Sequence, residues 1–140
     1  MAGKVRGVTE EQARRRLVSS ETTLAGLLRH LAVVECKWFR LVVAGGDAEE
    51  LHLPGRGESW VVPEDATLAS LTADYERGCA DSRAIAARYS LDDVFDSGED
   101  ITVSLRWILV HMIEETARHA GHADILREQT DGSTGDGESG

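Results

Sequence analysis

The sequence is poor in the residues that cross-link a chain or interrupt its helices. It has only two cysteines and two prolines in 140 residues. Cys36 and Cys79 form no C-x-x-C pair, so neither a disulfide framework nor a cysteine-rich zinc site is expected. Each lies in a helical pattern and reads as a buried thiol. With so few prolines, long periodic stretches run unbroken, which points to an all-α chain. Positive charge is also short. Lys and Arg number 15 against 25 Asp and Glu, a net charge of −10. A nucleic-acid-binding face needs the opposite balance, so DNA, RNA and anionic membranes are not expected partners. No apolar run approaches the roughly 20 residues that span a bilayer. The opening MAGKVRGVTEEQARRR has no apolar stretch of the secretory kind. These absences lead us to expect a soluble cytoplasmic protein. One domain over residues 1–129 fits the length. The tail 130–140, TDGSTGDGESG, has no apolar residue and is expected to be disordered.

What the sequence does contain is helical periodicity. Apolar residues recur at three and four over residues 22–44, 67–89 and 102–128. Ser20 with Thr23, Asp65 or Thr67, and Thr102 or Ser104 are candidate caps, and Gly45 with Gly46 stops the first helix. A shorter helix is expected over residues 9–18, where Thr9 and Gln12 fit a capping box. The run Arg14, Arg15, Arg16 reads as a solvated helix face. Residues 45–63 read as irregular, with room for a turn or short strand, and 90–100 as an acidic connection. Long helices joined by connections predict an antiparallel up-down bundle. Such a bundle has four comparable helices, and this chain offers three and a stub.

Chemistry-bearing residues gather on the last helix, in HMIEETARHAGHADIL, which holds three of the five histidines. At about 100° per residue, His119 falls inside the apolar seam, Glu115 at its edge, and His122 and His111 further round the same flank. Glu115 and His119 are one turn apart and stack on one face. The seam changes from bulky Leu105, Ile108, Leu109 and Met112 to small Thr116, Ala120 and Ala123, which predicts space inside the bundle. His30 sits at the edge of the first long helix's stripe and can point inward. Two imidazoles and one carboxylate form a three-ligand set with an open position, suited to zinc and also to iron or nickel. The other reading is a set of hydrogen-bonded boundary histidines and a simple charge pair. His52 reads as a surface residue. His111 and His122 read as outer partners or pocket lining, and Trp38, Trp60 and Trp107 as core or covering residues.

TTLAGLLRHLAVVECKWF, followed much later by SLRWILVHMIEETARHAGHADILRE, resembles the DinB-like superfamily. The nearest branch is that of mycothiol-dependent transferases, with maleylpyruvate isomerase-like enzymes as relatives, and the resemblance covers about residues 4–131. It implies a four-helix bundle holding a divalent metal, zinc or nickel, through His30, Glu115 and His119. It also implies mycothiol or a similar thiol as co-substrate, acting on a small electrophile. His111 and His122 are then candidate catalytic residues, for proton shuttling or ligand orientation, and Arg118 a candidate for holding a cofactor carboxylate. His122 stands where many relatives carry Gln. Rival expectations are a metal-dependent hydrolase or isomerase that needs no thiol, and a non-enzymatic helical scaffold. Relatives place a full first helix where this chain has only residues 1–7. A truncated or absent first helix would expose an apolar groove, so self-association as a dimer, or poor solubility, is expected.

Overall fold

The computed structural model describes residues 1–134 apart from Arg56 and Glu99. The tail beyond Ser133 and Thr134, to which most of the expected disorder belongs, lies outside the described residues. A 3-10 turn, Ala2–Val5, leads to a short α1, Glu10–Arg14. Helix α2, Leu24–Glu35, runs without a break into a π-helix, Cys36–Val43. A second 3-10 turn, Glu58–Trp60, lies in the long connection to α3, Leu68–Ala86. Strands β1, Val94–Asp96, and β2, Thr102–Ser104, pair antiparallel ahead of α4, Leu105–Asp131. The protein is therefore mostly helical with a small two-stranded sheet, which corrects the all-α expectation at residues 94–104.

Side-chain caps fix the helix starts. The Thr9 hydroxyl accepts from the Gln12 amide while the Gln12 side chain accepts from the Thr9 amide. Thr67 and Ser70 form the same reciprocal pair at α3. Thr23 caps α2, and Ser104, the last residue of β2, caps α4, whereas Thr102 only opens β2. Where the first long rod stops, the Gly46 amide donates to the Arg40 carbonyl, and a Cβ at Gly46 would stand 2.6 Å from that oxygen. Only glycine fits there. Helix α1 is shorter than expected. Arg14 ends it and donates to the carbonyls of Pro63 and Ala66, so it ties down the long connection rather than facing solvent. Arg15 and Arg16 remain exposed beside Glu11 and Glu21. Helix α4 continues through Thr130 and Asp131, and Gly132 closes it at φ 77°.

The π segment was not foreseen. In a regular α-helix, Phe39 and Val43 would stand about 80° and 120° from the line of Leu31. A wider turn advances less per residue and returns them to the packed face. Both are buried against Ile85, Leu105 and Ile108.

Packing corrects the up-down topology as well. Leu24, Leu27, Leu28 and Leu31 share one core cluster with Leu71 and Tyr75 from the start of α3 and with Ala123 and Leu126 from the end of α4. Phe39 and Val43 share the other with Ile85 from the end of α3 and Leu105 and Ile108 from the start of α4. Helices α2 and α3 therefore run parallel, and α4 runs against both. The connection between Val43 and Leu68 is long enough to return the chain to the starting end, as crossover connections in bundles do.

A groove of about 830 Å³ opens between α3 and α4, lined by Glu35 and Phe39, by Cys79 and Ser82, and by Thr116 and Ala120. Thr116 and Ala120 do line a space, but it is an open groove and not the expected pocket inside the bundle, and Ala123 is wholly buried and does not line it. Among the described residues, no helix is long and apolar enough to cross a membrane.

Candidate metal centre

Antiparallel packing of α2 on α4 brings His30 to Glu115 and His119. His30 Nε2 and His119 Nε2 each lie 3.1 Å from the same oxygen, Glu115 Oε1. Their side chains are 14%, 13% and 7% exposed, in the order His30, Glu115, His119. All three offer ligand atoms within 4.8 Å of one another. The donor set fits a divalent cation. Ligand bonds of about 2.1 Å at tetrahedral angles space neighbouring donors by about 3.4 Å. The two observed nitrogen–oxygen separations need to open by only a few tenths of an ångström.

Without a cation, each imidazole N–H donates to the carboxylate. Burial pushes the Glu115 carboxyl up, but the hydrogen bond from His30 and the charge and hydrogen bond of His119 outweigh it, leaving the group below its ordinary value. For His119 burial dominates. It pushes the imidazole below its ordinary 6.5 despite the attraction of Glu115, and His30 and His122 push the same way. Both folded values are depressed, so the unfolded chain binds more protons and stability rises with pH. The His119 contribution is present above 6.5 and fades as pH falls below it. The Glu115 contribution is present above its ordinary 4.5 and fades lower still. Denaturant midpoints of the metal-free protein should therefore fall from about pH 8 to about pH 4. A midpoint unchanged over that span would contradict the paired triad.

The family model for mycothiol-S-transferase matches residues 1–132. This chain belongs to the mycothiol-S-transferase family. No curated protein and no solved structure matches it.

The remaining residues of interest in this mycothiol-S-transferase family member divide by location. His122 Nδ1 lies 3.3 Å from His119 Nδ1, directly behind the triad, and lines a small pocket of about 260 Å³ with Ser20 and Thr22. Arg118 is largely exposed, with a guanidinium nitrogen 3.6 Å from Glu115 Oε2, the oxygen that the histidines leave free. His111 has other company. Its ring stacks on Trp107 at 5.0 Å and meets Trp38 edge-on at 5.2 Å. His52 is exposed and sits at φ 51°, its Nδ1 on the Glu50 carbonyl.

Cys36 and Cys79 are free and half-buried, and burial pushes both thiols up. Neither has the lowered pKa of a reactive cysteine. None of the triad lines the large groove, because His30 and Glu35 lie on opposite flanks of α2. Sequence reasoning missed Ser59, and it read Trp60 as a core or covering residue without linking it to His30. Ser59 Oγ is 3.0 Å from His30 Nδ1, and the Trp60 indole stacks on the His30 ring at 4.0 Å. Nothing in local spacing links them to a histidine 29 residues before Ser59.

Proposed function

We propose that this family member is a metal-dependent S-transferase that uses mycothiol, or a closely similar thiol, on a small electrophile. The observation that carries the reading is the convergence of one buried imidazole, one half-buried imidazole and one half-buried carboxylate from α2 and α4. His30, Glu115 and His119 would hold the cation, with zinc as the best match to this donor set. A divalent cation there supplies the acidity that deprotonates a thiol at neutral pH. Arg118, beside the open oxygen of Glu115, is placed to receive a carboxylate of the thiol or of its partner substrate. His122 holds the far nitrogen of His119. His111, between two indoles, is assigned to lining the approach rather than to proton transfer.

In this reading the helices form an antiparallel bundle with one parallel pair, in a cytoplasmic protein. The groove is covered by a second copy of the chain. Ile113 is 69% exposed, and Trp107 and Val110 are about half exposed along the same helix. Ile113 and Ala117 also line the groove. One edge thus offers both a ridge and a recess, as an isologous dimer requires.

One preparation tests these assignments. Purified protein should carry about one divalent ion per chain and consume an electrophile only when the thiol is added. Turnover without thiol would favour a hydrolase or isomerase instead. A metal-free protein whose stability ignores chelator would favour a non-catalytic scaffold. Light scattering should give a dimer; a well-folded monomer with low dye binding would rule out the covered groove.

A further inference from the structure

We infer that the 3-10 turn Glu58–Trp60 is a positioning element for the metal centre: Ser59 fixes the tautomer of His30, and Trp60 fixes the planes of His30 and His119. This rests on the metal reading above. Ser59 is buried, and its hydroxyl faces Nδ1 of His30 at 3.0 Å, the nitrogen pointing away from Glu115. The Trp60 indole lies almost parallel to the His30 ring, 11° apart at 4.0 Å, and meets His119 at 5.2 Å and 69°. One indole therefore touches both imidazoles, face-on to one and steeply tilted to the other.

The hydroxyl suits two states. When His30 donates through Nε2 to Glu115, its Nδ1 is an acceptor, and the Ser59 O–H donates to it. When Nε2 must present a lone pair to a cation, the proton sits on Nδ1 and donates to the Ser59 oxygen. Few side chains serve both without moving, because few are donor and acceptor at one atom. The turn itself is anchored to the helix that carries His30. Arg29, the residue before it, donates to the Glu58 carbonyl, and the Trp60 carbonyl sits where a Cβ on Gly26 would be only 3.1 Å away. The Glu58 side chain accepts from the Gly55 amide and closes the turn. The turn and the ligand thus move as one body on α2.

Cobalt(II) is the probe, read by its visible absorption and by competition with a chelator. Ser59→Ala should weaken cobalt affinity about 10–100-fold, the usual cost of losing an outer partner of a ligand histidine, and shift the absorption bands. Ser59→Thr, which keeps the hydroxyl, should restore both. Trp60→Leu, which keeps Ser59, should speed release of cobalt to the chelator. Circular dichroism of the metal-free variants checks folding. If Ser59→Ala does not fold, Trp60→Leu decides alone, and parent-like release from it overturns the inference. A folded Ser59→Ala with the parent affinity and spectrum overturns it too. A parent protein with no cobalt spectrum at all removes the metal reading, and this inference falls with it.

Discussion

Replacing His119 by alanine is expected to abolish stoichiometric metal binding and thiol-dependent turnover together. The residue is 6% exposed, donates one of the three ligand atoms, and shares Glu115 Oε1 with His30. Its loss leaves two ligands from different helices and opens a space beside Trp60 and His122. The effect should exceed the roughly 10–100-fold that removal of an outer partner costs. Elemental analysis and a thiol-consumption assay on one sample measure both consequences. Retention of a full equivalent of metal by His119→Ala would show that the ion, if any, binds elsewhere. Full turnover without metal would separate the chemistry from the triad.

The second large effect falls on stability. Leu28 is 0% exposed in the core cluster where α2 meets α3 and α4. Leu28→Ala should cost about 2–5 kcal/mol, the transfer energy of the lost methyls plus the cavity left behind. Against a total of roughly 5–15 kcal/mol for a domain, that takes a large share of the folded state's margin. It should also loosen the metal centre, since Leu28 lies two residues before His30 on the same helix. Denaturant unfolding reads the first consequence and cobalt affinity the second. A loss below about 1 kcal/mol would mean that neighbouring side chains close the cavity.

The helices were legible because each carries its own instructions. The apolar period, the Thr9–Gln12 box, the Thr67 and Ser104 caps and the paired glycines at 45 and 46 all act within a few residues, and each appears where local physics puts it. The same holds for Glu115 and His119, which one helical turn brings together. The hairpin at 94–104 was hidden, because two three-residue strands are too short for an alternating pattern. The π segment was hidden too, since its residues fit a helical stripe and only packing of Phe39 and Val43 selects the wider turn.

The sequence by itself determined, to within a few residues, where the long rods begin and end, which side of each is apolar outside the π segment, and that an imidazole and a carboxylate stack near the end of the last one. These follow from interactions spanning three or four residues. Only the tertiary structure decided that α2 and α3 run parallel, that the groove and the triad lie on opposite flanks of α2, and that Ser59 and Trp60 attend His30. Those outcomes depend on how the chain between Val43 and Leu68 returns across the molecule. A long connection leaves many return paths open, and it is burial of the leucines on α2 that selects one.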